Sequence, residues 1–113
     1  MLKHQETIEI FMEKGTAVAR LRGEIDHHSA VELRRVLDDY ICRHRPSTLC
    51  MDTSGIDFMD SSGLGLIMGR YALMQKSGGE LLLYHPSPSV LRMVRLAGME
   101  RIIKIELPKK ERS

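Results

Sequence analysis

The 113-residue chain has no tryptophan, and aromatic residues make up only 4% of it. Proteins that grip single-stranded nucleic acid stack bases on aromatic side chains, so that platform is poorly supplied here. Charge of one sign is also scarce: 17 basic against 15 acidic residues leave a formal net charge of +2. Residues 1–57 carry 8 basic and 10 acidic side chains, and residues 58–113 carry 9 and 5. Part of the basic excess lies in Lys109, Lys110 and Arg112, which read as a solvated tail. A nucleic-acid partner is not expected. No apolar run approaches the ~18–20 residues of a membrane span, so no membrane partner is expected either. The start, Met1-Leu2-Lys3-His4-Gln5-Glu6, lacks the apolar core and cleavage site of a secretory signal. A cytoplasmic location is the expectation. Cysteine is limited to Cys42 and Cys50, which fit no CxxC pattern and read as buried thiols. Cys42, His44 and Cys50 are too irregularly spaced for a structural zinc set, and no HExxH occurs, so no metal site is expected.

What is present suits one small soluble domain. Hydrophobic residues at 42% and charged residues at 28% are the ordinary globular balance. A chain of this length buries roughly two-thirds of its unfolded surface and needs no staples. The expected domain is 1–113, with a core at about 6–106 and a short polar tail at 107–113.

Thr7–Glu13 alternates loosely and meets a turn signal at Lys14-Gly15. Thr16–Arg22 alternates again, with Val18 and Arg20 on one face and Ala19 and Leu21 on the other, which makes an N-terminal hairpin. Gly23-Glu24-Ile25-Asp26 is expected to leave the sheet, with Asp26 as a helix N-cap. Ala30, Leu33, Leu37, Tyr40 and Ile41 recur at helical spacing, so a helix spans about 27–44 and stops at Pro46. Thr48–Asp52 reads as a buried strand, and Thr53–Asp60 as a loop. A second helix then places Leu64, Ile67, Met68, Tyr71 and Met74 on its apolar face and ends at Ser77-Gly78-Gly79. Gly65 and Gly69 cost this helix about 1 kcal/mol each, which close approach to the sheet would compensate. Glu80–Tyr84 is a further strand. Ser87 caps a third helix with Pro88 at its first position; Val90, Leu91, Val94 and Ala97 form its face, and Gly98 ends it. Ile102–Ile105 closes the sheet. The fold class is α/β, a mixed five-stranded sheet in the order ββαβαβαβ, with right-handed crossovers between parallel neighbours.

Enzyme motifs fail on inspection. There is no GxxxxGK[ST] run. Gly63-Leu64-Gly65 begins a dinucleotide fingerprint, but Met68 stands where the third glycine belongs. Neither Ser61 nor Ser62 has the first glycine of a nucleophile elbow. What remains is Phe58-Met59-Asp60-Ser61-Ser62-Gly63-Leu64-Gly65, beyond the carboxyl end of a central strand and opening a helix. Ligands and partners of open α/β sheets gather there. The helix start favours an anion, and a phosphate on Ser61 would add about −1.5 to −2 charges beside Asp57 and Asp60. Equally, Asp60 or Ser61 reads as an ordinary N-cap, and spacing leaves both readings open.

Gly23-Glu24-Ile25-Asp26-His27-His28, the Asp60-Ser61-Ser62-Gly63 run with its flanks, and Gly69-Arg70-Tyr71 resemble the STAS domain family. Within it they are most similar to the anti-anti-sigma branch, and the Asp-His-His and Gly-Arg-Tyr details to its sporulation members. The likeness runs from about residue 16 to 105. It implies a non-enzymatic switch protein. The unphosphorylated form would bind an anti-sigma factor that is also an ATP-dependent serine kinase, and so release sigma F. Phosphorylation of the first serine of the motif, Ser61, would end that binding, and a PP2C-type phosphatase would restore it. Asp26, His27, Asp60, Ser61, Ser62 and Gly63 are implied at the partner surface, although Asp26 serves equally as a helix cap. Met59 reads either as a core filler or as an exposed apolar contact beside the acceptor. Two alternatives stay open: a STAS module of another stress or sigma system, and a small domain that binds a nucleotide phosphate near Ser61. No other cofactor is expected. The chain ends soon after Pro108, so a final helix seen in relatives is expected to be short or missing.

Overall fold

The computed structural model describes residues 7–109. The expected start of the core at residue 6, and Lys110 and Arg112 of the tail, lie outside the described residues. Alternation builds the first two strands. β1 (Ile8–Glu13) and β2 (Thr16–Ile25) pair antiparallel, Ile8 opposite Leu21 and Glu13 opposite Thr16. Lys14 and Gly15 turn the chain with φ of 49° and 83°, the two positive values that a two-residue hairpin turn matched to strand twist requires. Ala17, Ala19 and Leu21 are buried, while Val18 is half-buried and Arg20 exposed.

β2 does not leave the sheet at Gly23. Register shifts on either side of Gly23 carry it on to Ile25, which pairs with Met59. β3 (Thr48–Met59) is correspondingly longer than expected, because the stretch from Thr53 onward is strand rather than loop. Its serine, glycine and aspartates disfavour a strand locally. Pairing with β2 and burial of Thr53, Ile56 and Met59 override that weak preference.

α1 (His27–His44) buries Ala30, Leu33, Leu37 and Ile41. Arg45, left-handed at φ 46°, and then Pro46 end it. α2 (Ser61–Lys76) is apolar nearly all round, and its buried face is rotated from the expected one. Leu66 and Arg70 are buried with Ile67 and Met74, whereas Leu64, Met68 and Tyr71 are half-buried. A Cβ on Gly65 or Gly69 would meet nothing within 4 Å, so these glycines do not face the sheet. β4 (Glu80–Tyr84) leads to α3 (Pro88–Leu96), capped by Ser87, with Val90 and Val94 buried, Leu91 half-buried and Ala97 exposed. A single 3-10 turn at Met99–Arg101 follows Gly98. β5 (Lys104–Glu106) therefore starts two residues later than Ile102.

The sheet order is β1-β2-β3-β4-β5, with every pair after the first parallel. Crossovers that step one strand each in the same direction put all three helices on one face. α2 accordingly touches both α1 and α3. Leu49, Met51, Leu81 and Leu83 from the central strands fill the space beneath them. Each such buried side chain contributes about 1.5–3 kcal/mol. Cys50 is buried, but Cys42 is exposed, against the expectation for it.

Candidate functional site

The pairing of Ile25 with Met59 sets the site, because the next residue on each strand is an aspartate that starts a helix. Asp26 caps α1: its carboxylate accepts from the Ser29 N–H at 2.9 Å, and the Ser29 hydroxyl accepts from the Asp26 N–H at 3.0 Å. The Ser29 N–H holds the Asp26 carboxyl below its ordinary value. Asp60 caps α2, accepting from the Ser62 N–H at 2.8 Å. The Asp60 N–H donates to the Ile25 carbonyl at 3.1 Å. The two helices therefore begin side by side at the carboxyl end of the sheet, and the positive ends of two helix dipoles converge there.

Ser61 is the first residue of α2 and is exposed. Its hydroxyl makes no hydrogen bond among the described residues, so the position is chemically free. Ser62 is partly covered, with its N–H committed to Asp60. Gly63 is the residue that allows close approach. A Cβ there would fall on Cγ and Sδ of Met59 and within 3.3 Å of Ile25 Cγ2. Met59 is thus wedged under the first turn of α2 at 4% exposure, a core residue and not the surface contact it could have been. Phe58, one step back along the strand, points outward and is 52% exposed. Strand alternation through Met59 would have revealed it, but that required seeing the strand extend so far.

Two shallow grooves flank Ser61. One lies between the starts of α1 and α2 and is lined by His27, Val31, Arg34, Ser62 and Gly65. The other, between the end of β3 and the start of α3, is lined by Phe58, Pro88, Ser89, Arg92 and Met93. The Ser89 hydroxyl donates to the Asp57 carbonyl at 3.0 Å and ties α3 to that strand. Asp26, His27, Asp60, Ser61, Ser62 and Gly63 are thereby brought to one edge, with Met59 beneath them. Val31 and Arg92 are additions that no motif signalled, and Phe58, although within the motif, was not among the expected contacts. A larger cavity lies elsewhere, where Ile41, Cys42, Pro46 and Leu73 separate the far ends of α1 and α2. Among the described residues no group of three His, Cys, Asp or Glu is placed to hold a metal ion, and no helix is long and apolar enough to cross a membrane.

An exposed serine at a helix start, framed by two aspartates and apolar side chains, has the character of a protein-contact surface, and among the described residues no base is bonded to its hydroxyl. Known proteins agree with that character. The chain is 37% identical over 98 residues to the anti-sigma F factor antagonist of Paenibacillus polymyxa, covering 87% of this chain and 84% of that protein. It matches the structure of the anti-sigma factor antagonist SpoIIAA in its unphosphorylated form with a TM-score of 0.76 and 30% identity, covering 88% of this chain and 87% of that one. The phosphorylated form of SpoIIAA, the Bacillus cell fate determinant, matches with a TM-score of 0.71 and 29% identity over 88% of this chain and 90% of that one. The STAS domain model matches residues 7–111, and the chain belongs to the STAS domain family.

Proposed function

We propose that this chain is an anti-sigma factor antagonist, a binding protein rather than an enzyme, switched by phosphorylation of Ser61. The observation that carries the reading is the free, exposed Ser61 hydroxyl at the start of α2. Unmodified, Ser61 lies between the two grooves and leaves their apolar and basic side chains open to an anti-sigma factor. The partner is an ATP-dependent serine kinase that binds the nucleotide itself, so this chain needs no cofactor. Capture of that partner by the unmodified chain frees sigma F, phosphorylation of Ser61 ends the capture, and a PP2C-type phosphatase resets the switch in the cytoplasm.

Charge explains how a single phosphate would act. In the free protein the phosphate faces water at a helix N-terminus, which favours an anion by about 0.3–1 kcal/mol. In the complex a near-dianion beside Asp60 would have to be desolvated, at a cost of several kcal/mol unless fully paired. Each 1.4 kcal/mol is tenfold in affinity, so a loss of about a hundredfold or more follows without refolding. The likeness of this chain to both forms of SpoIIAA is in keeping with a switch that leaves the fold intact.

The test is intact-protein mass spectrometry after incubation with ATP and a sporulation anti-sigma kinase, with Ser61→Ala alongside. One phosphate on the native chain and none on the variant is the expected result. Phosphate on Ser61→Ala would move the acceptor, and phosphorylated protein that still binds the kinase as tightly would refute the charge mechanism.

A further inference from the structure

We propose that the open face of the sheet docks a protein segment that presents an apolar stripe flanked on both sides by lysine or arginine. All three helices lie in one layer, and among the described residues no element covers the opposite face. On that face the strand registers align one row across the whole sheet: Phe11, Val18, Cys50 and Leu82, ending at Lys104. Phe11 is 36% exposed, and Val18 and Leu82 are half-buried. Cys50 between them is 8% exposed. An apolar row across four strands is more than solubility calls for, and its edges make it selective.

Two residues along each strand in one direction, the neighbouring row contains Glu9, Arg20, Asp52 and Glu106; in the other it contains Glu13 and Glu80. These three rows thus hold five carboxylates against Arg20 and Lys104, a net of −3 on a chain whose total is +2, and the exposed Arg22 and Glu24 further along β2 cancel each other. Both cations are already engaged, Arg20 with Glu9 at 3.7 Å and Asp52 at 3.8 Å, and Lys104 with Glu80 at 3.3 Å. Glu13 and Glu106 stand in no ion pair among the described residues. An apolar centre between two acidic margins selects a partner with the opposite margins. It repels an anionic membrane, and it repels itself, since a face-to-face pair of copies would set −3 against −3. Its extent points the same way. Five strands at about 4.8 Å spacing and three rows give about 400 Å², half of the roughly 800 Å² per partner of a standard interface. That suits one segment and not a second globular copy. The surface lies away from Ser61, so the proposal stands apart from the phosphorylation reading.

The experiment is a nitrogen-15 NMR titration of the full chain at low salt with a synthetic amphipathic peptide, leucines in a stripe with lysines on both sides. The same peptide with glutamates for the lysines is the control. Shifts concentrated at Val18, Cys50 and Leu82 with the lysine peptide alone are expected. The double variant Glu13→Lys/Glu106→Lys, exposed and unpaired at both positions, should bind about tenfold more weakly with an unchanged Tm. Three outcomes would overturn the proposal: shifts confined to the helical face, equal binding by the double variant, or concentration-dependent shifts of this face without peptide, which would mean a second copy.

Discussion

The Asp60 N–H donates to the carbonyl of Ile25 at 3.1 Å, which ties the residue that starts α2 to the last residue of β2. Asp26 follows Ile25 directly, so the caps of α1 and α2 share one piece of backbone scaffolding. Phosphorylation chemistry at Ser61 would therefore take place on a rigid edge. On the proposed reading, a phosphate there would act through local charge and bulk, since a larger change would have to move the sheet edge and both helix starts together.

That rigidity depends on Gly63. Alanine there collides with Met59 close to its backbone, where a flexible tip cannot simply swing away. Gly63→Ala should destabilise the chain by about 1–3 kcal/mol. Gly69→Ala should do the reverse, since its Cβ enters open space and glycine costs a helix interior about 0.5–1 kcal/mol. Thermal unfolding of both variants checks the pair, and equal signs would refute this assignment of the glycines.

Much of this edge was legible from punctuation residues. Asp26, the Ser87-Pro88 pair and Gly98 mark helix ends through hydrogen-bond capacity or φ preference, which are local properties. The extension of β3 through Met59 was not legible, because β3 keeps its pairing with β2 only by bulging twice, opposite the stretches on either side of Gly23. The buried face of α2 was hidden for another reason. Leucines, methionines and an isoleucine surround that helix, and periodicity cannot rank its faces. Arg70, polar by type, lies on the inner one. Phe58 was in view within the motif, but its outward orientation follows only from the extended strand.

Asp26 should leave a signature in the pH dependence of stability. The Ser29 N–H lowers its carboxyl below the ordinary 3.8. A lowered folded pKa contributes stability that is present above the unfolded value and lost as pH falls through the folded one. Asp26→Asn keeps a side-chain oxygen for the cap but removes this ionisation. The stability gap between wild type and Asp26→Asn should therefore be widest near neutral pH and close in acid, as pH falls through the lowered carboxyl pKa. Urea midpoints at several pH values measure it, and a gap that does not narrow in acid would contradict the assigned cause.

The cysteines should separate by reactivity. Cys42 is exposed, whereas burial, aided by Asp52 and Glu106, pushes the Cys50 thiol up from 9.0 to about 11. At pH 8 a maleimide should modify Cys42 alone in the folded chain and both cysteines in denaturant, read by mass spectrometry. Because the folded pKa is the higher one, Cys50 also contributes stability that is intact below pH 9.0 and lost as pH rises to about 11. Cys50→Ala should flatten that alkaline loss.

Arg70 and Asp38 form an unequal ion pair. Nε and Oδ1 are 3.0 Å apart, with the arginine side chain 7% exposed and the aspartate 43%. Burial lowers the Arg70 pKa, and Asp38 opposes that effect. Removing the aspartate strands a buried cation, so Asp38→Ala should cost about 1–2 kcal/mol, less than a fully buried pair because water reaches Asp38. Arg70→Met removes the charge and keeps the packing, and should cost under about 1 kcal/mol. Were Arg70→Met the more damaging in denaturant titration, the guanidinium would be making contacts beyond this pair.

Phe58 offers the cleanest separation of binding from folding. Its ring is 52% exposed at the edge of the groove that Arg92 and Met93 complete, while Met59 beside it is 4% exposed. Exposed aromatics next to a contact centre commonly carry more than 1 kcal/mol of binding energy. Phe58→Ala should therefore weaken binding to an anti-sigma kinase by about tenfold and leave Tm nearly unchanged. Met59→Ala should lower Tm first, since it removes a core side chain worth about 2–5 kcal/mol. Surface plasmon resonance and thermal melts on the two variants distinguish these roles. If Phe58→Ala bound as tightly as wild type, the partner would have to approach Ser61 from the other side, across His27, Val31 and Arg34.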